Sequence, residues 1–127
     1  MLAQATSLAF SLGASTIVYG AHADDFASDA YPDCSPKFYK AMNSAIFNGT
    51  EGKVRLYAPL INIDKAQTVA LGYKLGVPFN LTRSCYEGRK KSCGKCATCR
   101  DRIRAFKENK LIDPIPYDTE IDWTGCK

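Results

Sequence analysis

Four of the chain's six cysteines, Cys85, Cys93, Cys96 and Cys99, fall within fifteen positions of the stretch "SCYEGRKKSCGKCATCR". Their spacing is Cys85-x7-Cys93-x2-Cys96-x2-Cys99. Zinc takes four ligands in a tetrahedron, and four thiolates close such a site. Cysteines two residues apart across a glycine-containing turn, as in Cys93-Gly94-Lys95-Cys96, can aim both sulfurs at one point. Cys85 must then reach in from the far side of the polar loop "YEGRKKS". Four thiolates around a dication carry a net charge of about −2. Lys90, Lys91, Lys95 and Arg100 would offset that charge and help to keep the thiols deprotonated.

Spacing alone leaves other uses open. A Cys-x-x-Cys pair can form a redox disulfide, and four thiolates can also hold an iron–sulfur cluster. A framework built from all six cysteines would need an oxidising compartment. A nucleic-acid finger is a further reading, because Arg83 to Lys110 holds ten basic residues against Glu87, Asp101 and Glu108. Only Tyr86 and Phe106 offer aromatic faces for stacking there. Nucleic acid is therefore not the expected partner, and the plainer reading of the charge is a solvated helix face that also compensates a metal site. Of the other two cysteines, Cys126 reads as a free thiol near the chain's end. Cys34 sits in "YPDC", where a small buried residue in a turn is the competing reading.

The elements that must position these residues follow from periodicity. At 127 residues, 46% hydrophobic and 24% charged, the chain suits one globular domain with a core of its own. Within 1–127 we expect a βαβ portion at 1–80, a zinc-binding segment at 81–110 and an irregular tail at 111–127. Residues 2–12 carry Leu2, Ala5, Leu8, Ala9 and Leu12 at helical spacing, with Gly13 as a stop. "STIVYG" at 15–20 reads as a buried strand. Ser35-Pro36 starts a helix whose apolar face is Phe38, Tyr39, Met42, Ala45 and Ile46, ended by Gly49. "VRLYAPL" from Val54 is a second strand. Asp64 to Gln67 resembles a capping box that opens a helix through Val69, Ala70, Tyr73 and Leu75, stopped by Gly76 and Pro78. "CRDRIRAFKEN" is a basic helix, and the tail is broken by prolines.

Strand, helix, strand, helix predicts an α/β fold with a parallel sheet. Two apolar strands alone leave unpaired edges, so the sheet must belong to a larger fold or be completed by a partner. Just past the first strand the chain turns acidic, with His22, Asp24, Asp25, Asp29 and Asp33. Open α/β sheets place ligands at such strand ends, which makes Tyr31, Asp33 and Cys34 candidate substrate contacts. His22 reads equally as a hydrogen-bonded loop histidine. The opening apolar run ends in Ala21-His22-Ala23 like a secretory leader, and Asn48 and Asn80 sit in glycosylation-type triplets. No Lys or Arg precedes Lys37, however, and polar residues interrupt the run. A cytoplasmic protein without a membrane segment is expected.

Taken together, "YPDCSPKFYKAMN", "APLINIDKAQTVALGYKLGVP", "SCYEG", "CGKCATCRDRIRAF" and "DPIPY" resemble the C-terminal half of the 7-cyano-7-deazaguanine synthases. These are the nitrile-forming enzymes of queuosine biosynthesis, in the PP-loop ATP pyrophosphatase superfamily. The resemblance implies a partial adenine-nucleotide α-hydrolase-like parallel sheet followed by a zinc knuckle and a helix. It implies that Cys85, Cys93, Cys96 and Cys99 hold a structural Zn2+. It implies ATP, ammonia and 7-carboxy-7-deazaguanine as substrates, and a homodimer. The carboxylate is adenylated, ammonia displaces AMP to give an amide, and a second activation dehydrates the amide to the nitrile. The family's SGGxDS loop, which cradles the pyrophosphate of ATP on backbone N–H groups, has no counterpart here, because "SLGAST" has one glycine and no aspartate. The expectation is a truncated or split synthase that is inactive alone. The alternative is a non-catalytic zinc-binding module that binds nucleic acid or a partner chain.

Overall fold

The computed structural model describes residues 1–27 and 31–127, so Asp29 of the acidic run lies outside the described residues. The elements in order are α1 (Leu2–Ser11), β1 (Thr16–Val18), α2 (Ala23–Ala27), a 3-10 turn (Pro32–Cys34), α3 (Pro36–Gly49), β2 (Arg55–Tyr57), α4 (Lys65–Lys74), a second 3-10 turn (Phe79–Leu81) and α5 (Ala97–Glu108). They divide between two compact units, Met1–Asp64 and Lys65–Lys127.

In the first unit β1 and β2 pair in parallel, with Thr16 opposite Arg55, Ile17 opposite Leu56 and Val18 opposite Tyr57. The α/β reading and the parallel pair are as the sequence predicts. Each strand is shorter than its apolar run, three residues apiece. One sheet face carries Ile17 and Leu56 into a core with Ala9, Ile46 and Val54, joined by Leu2, Tyr39 and Met42. The helix over that face starts where the sequence places it. Pro36 takes the first position, and the Ser35 hydroxyl accepts from the Phe38 N–H at 3.1 Å. Beyond the strand ends a second cluster forms from Ala21, Ala58 and Ile61, with Tyr19, Cys34 and Tyr39 packed against it. The acidic stretch is not all loop. Ala23–Ala27 is a short helix with Asp24 and Asp25 in its first turn, where carboxylates complement the exposed N–H groups. The Ala23 N–H is held by the Ile63 carbonyl at 2.8 Å.

In the second unit α4 lies on α5 through Val69, Ala105 and Phe106, with Ala66, Phe79, Leu111 and Trp123 around them. That packing places α4 in the same unit as the cysteine segment. The helix ends on Gly76 at φ +69°, a left-handed position that glycine takes without strain. Its turn closes through Val77 N–H to Gly72 O at 2.9 Å and Gly76 N–H to Tyr73 O at 3.1 Å.

The tail from 111 to 127 has no helix or strand, as its prolines suggest, yet it is tied down. Ser92 donates to Pro116 O at 3.1 Å and accepts from the Asp118 N–H at 2.8 Å. Lys127 donates to Lys110 O at 2.8 Å and accepts from the Ile112 N–H at 3.1 Å. The Asp113 carboxylate is buried against the Arg102 guanidinium, with Nε to Oδ2 at 2.6 Å and Nη2 to Oδ1 at 2.9 Å.

Candidate metal centre and the turn beyond the strands

Each sulfur of the cysteine cluster is placed by a different device. Cys85 follows the Phe79–Leu81 turn, and the Arg83 guanidinium donates to the carbonyls of Arg89, Lys90 and Lys91. That clamp folds the "GRKK" loop back so that Cys93 returns beside Cys85. Gly94 sits at φ +71°, and a Cβ there would lie 3.3 Å from Thr119 and 3.4 Å from Ile121. The turn therefore needs glycine for its backbone and for the tail pressed against it. Cys96 is the N-cap of α5, and Cys99 lies in that helix's first turn, nearly without exposure.

The four ligand atoms all lie within 4.8 Å of one another, and Cys93 Sγ is 3.9 Å from Cys99 Sγ. Thiolates at about 2.3 Å from a tetrahedral zinc stand about 3.8 Å apart, so the sulfurs sit close to the spacing such an ion requires. No two sulfurs are bonded, and all six cysteines are free thiols. Backbone N–H groups point at the sulfurs. Glu87 and Cys93 donate to Cys85 Sγ, both at 3.4 Å, while Lys95 and Cys96 donate to Cys93 Sγ at 3.4 and 3.3 Å. Donors of this kind favour the thiolate. The amides of Cys93 and Glu87 hold Cys85 below the usual thiol range. The Thr98 hydroxyl, 3.3 Å from Cys96 Sγ, is the first cause of lowering Cys96 to about 6. Burial acts the other way on Cys99, pushed up to about 12. A cation among the four sulfurs opposes that effect, because a coordinated thiol is deprotonated outright. Donor set, spacing and amide shell all fit a metal ion.

The three residues expected to meet substrate lie elsewhere. The 3-10 turn Pro32–Cys34 leaves Tyr31 and Asp33 exposed and Cys34 half-buried. Tyr19, the residue after β1, holds this turn at the strand ends. Its hydroxyl donates to the Asp33 carbonyl at 3.0 Å and lies 3.4 Å from Cys34 Sγ. Burial first, and that contact second, raise the Tyr19 phenol. Burial likewise pushes the Cys34 thiol up. His22, largely buried, sets Nε2 3.3 Å from Asp25 Oδ1, and its backbone N–H donates to Asp25 Oδ2 at 3.2 Å. His22, just ahead of α2, thus pairs with Asp25. Sequence reasoning missed Tyr19, which read as strand, and Thr98, whose hydroxyl donates to Ser84 O at 2.8 Å beside the cluster.

Similarity to known proteins decides the family. The model of the family described as "Queuosine biosynthesis protein QueC" matches residues 1–110. The chain belongs to the QueC family. It is 50% identical over 117 residues to the 7-cyano-7-deazaguanine synthase of Acidobacterium capsulatum, covering 91% of this chain and 50% of that protein. It is 46% identical over 122 residues to that of Caldicellulosiruptor saccharolyticus, covering 96% and 53%. It is 42% identical over 118 residues to synthase 1 of Colwellia psychrerythraea, covering 93% and 53%. The chain thus spans about half the length of the curated relatives it matches. In this QueC chain, among the described residues, no helix is long and apolar enough to cross a membrane.

Proposed function

We propose that the chain is the C-terminal part of a 7-cyano-7-deazaguanine synthase, with Cys85, Cys93, Cys96 and Cys99 holding a structural Zn2+. The observation that carries the reading is a four-sulfur set within 4.8 Å in a chain of the QueC family. When bound, the zinc supplies a cross-link between Cys85, the Cys93–Cys96 turn and α5. The substrates of the assembled enzyme are ATP, ammonia and 7-carboxy-7-deazaguanine, and it works as a cytoplasmic homodimer. A carboxylate oxygen attacks the α-phosphorus of ATP and expels pyrophosphate. Ammonia then displaces AMP to leave the amide. The amide oxygen is activated by a second ATP in the same way and departs with AMP as the nitrile forms. The turn at Tyr31, Asp33 and Cys34 lies beyond β1, where α/β sheets hold ligands, and it contacts the deazaguanine.

The test is AMP release from ATP with 7-carboxy-7-deazaguanine and ammonium. Lys and Arg at the surface attract ATP but do not fix its α-phosphate in line for attack, so the chain alone is expected to be inactive. Co-expression with an SGGxDS-bearing fragment is expected to restore AMP and nitrile formation. Robust nitrile formation by the chain alone, or a folded, zinc-bound chain that no fragment rescues, would remove this reading. In the assembled enzyme Asp33→Ala is expected to lower turnover roughly tenfold or more, about 1.4 kcal/mol of transition-state binding. Its side chain is exposed, and the Tyr19 bond is to its carbonyl, so the melting temperature should move by no more than about 2 °C. A large loss of stability with unchanged turnover would make the turn structural only.

A further inference from the structure

The 3-10 turn at Pro32–Cys34 shapes itself but does not place itself. Its own bonds run from the Cys34 N–H to Tyr31 O at 2.9 Å and from the Ser35 N–H to Pro32 O at 3.2 Å. Those bonds use the carbonyls of Tyr31 and Pro32 and leave the next one, on Asp33, to a partner from elsewhere in the fold. Tyr19 supplies that partner, with its hydroxyl 3.0 Å from Asp33 O. The base from which the hydroxyl reaches is fixed. The Tyr19 N–H donates to Tyr57 O at 2.8 Å, which ties the residue to the end of β2. Its ring packs against both buried clusters of the first unit, the one around Ile46 and Leu56 and the one around Ala58 and Ile61. A hydroxyl carries one proton, and a carbonyl can only accept. With that proton given to Asp33 O, the 3.4 Å contact with Cys34 Sγ runs from the thiol to the Tyr19 oxygen. Burial keeps both groups protonated, since it raises the phenol and the thiol alike. Cys34 S–H, Tyr19 O–H and the Asp33 carbonyl thus form a chain that closes on the turn it holds.

We propose that Tyr19 is a positioning residue for the deazaguanine: it touches no reacting atom, and it sets where the Pro32–Cys34 turn stands against the strand ends. This role rests on the proposed contact of the turn with substrate and names what holds that contact in place. The Asp33 carbonyl faces Tyr19 while the Asp33 side chain stays exposed, so one residue is gripped by its backbone and offered to a ligand by its carboxylate. The same chain gives Cys34 to holding the turn rather than to nucleophilic attack, because the thiolate and not the thiol is the nucleophile. A turn placed in advance binds its ligand without a further ordering cost. Loss of the hydroxyl should therefore weaken binding more than it slows chemistry.

Steady-state kinetics test it, in the chain co-expressed with the part of the Caldicellulosiruptor saccharolyticus synthase that it does not match. Tyr19→Phe keeps the ring and removes only the hydroxyl. It should raise KM for 7-carboxy-7-deazaguanine about tenfold, leave kcat within about threefold and leave KM for ATP within about twofold. Tyr39→Phe is the control. Tyr39 packs against the same two clusters, and its hydroxyl also donates to a backbone carbonyl, but to that of Leu56, at 3.3 Å, rather than to the turn. Its loss should lower the melting temperature by a similar amount and move KM by less than about twofold. A second measurement needs no activity: the rate at which iodoacetamide alkylates Cys34 in the chain alone, read on the Cys34 peptide. Tyr19→Phe should raise that rate at least about fivefold, and Tyr39→Phe should not. An equal KM shift in both variants, or a fall in kcat with KM unchanged, overturns the positioning role and leaves the synthase reading standing. An unchanged alkylation rate does the same. Parent chain and fragment that together make no nitrile remove the synthase reading, and the positioning role with it.

Discussion

Cys96→Ser will cost the chain its metal and, with it, the fold of residues 65–127. Structural zinc contributes apparent folding energy of about 10–16 kcal/mol, while a whole domain is stable by only about 5–15 kcal/mol. In the second unit the cysteine segment's own buried cluster is made of its sulfurs. Cys85, Cys93 and Cys99 form one of its two buried clusters, the other being the α4–α5 contact. Cys96 stands at the N-cap of α5 without a side-chain cap bond, so it is the loss of its sulfur from the cluster that frees the start of the helix carrying Cys99 and the Ala105–Phe106 core. A serine hydroxyl is a poor substitute for a thiolate at zinc. The parent chain should contain one zinc, and the variant less than about a tenth of that, with a loss of helical circular dichroism. Adding a strong chelator to the parent should give the same spectrum. A parent chain without metal, or a variant that melts with the parent, would show that the sulfurs gather without an ion to hold them.

Asp113→Ala will destabilise the second unit by about 3–5 kcal/mol, the usual cost of removing one partner of a buried ion pair. Both partners are almost wholly out of solvent, with the Asp113 side chain at 0% and Arg102 at 7% exposure. The Arg102 donors are otherwise satisfied by Thr82 Oγ1 at 2.8 Å and Phe79 O at 3.2 Å. Asp113 in turn accepts from the Tyr117 hydroxyl at 2.6 Å, and burial followed by that bond raises the Tyr117 phenol. Truncating Asp113 leaves the buried guanidinium charge uncompensated and takes the acceptor from a half-buried hydroxyl. The expected readout is a fall in melting temperature of about 10 °C or more, with reduced zinc retention because Tyr117 and Thr119 lean on the Gly94 turn. Replacing both charges, Arg102→Met with Asp113→Leu, should recover much of the loss. A cost under about 1 kcal/mol for Asp113→Ala would mean that the tail is held by its backbone bonds alone.

How much of this was legible beforehand depends on how local each signal is. Ser35-Pro36 marks the start of α3 because a cap and a fixed φ act within one turn of helix. Gly76 marks the end of α4 for the same reason. The cysteine spacing pointed to a shared site because short Cys-x-x-Cys turns bring sulfurs together whatever surrounds them, and the cluster has that form. The βαβ pattern gave the parallel pair, because alternating strand and helix over this length requires a crossover.

Non-local contacts decided the rest. Nothing in the composition of "LIDPIPYDTEIDW" says that Asp113 will meet Arg102, or that Thr119 will donate to the Cys93 carbonyl at 3.1 Å. An isolated acidic residue ahead of a proline looks the same whether it is solvated or buried in an ion pair. Tyr19 reads as the end of a strand, and only the folded chain shows its hydroxyl holding the Asp33–Cys34 turn. The sequence says that a two-stranded sheet has unpaired edges, but not which one is closed. That was settled by Asn43 and Tyr39 reaching from α3 to the Leu56 peptide, and side chains find such partners only after the helix has packed on the strand. The sequence by itself determined the sulfur set, the start of α3, the end of α4 and the parallel pair. Tertiary packing alone fixed how that set is braced and which sheet edge is closed, because both depend on residues brought together across the fold.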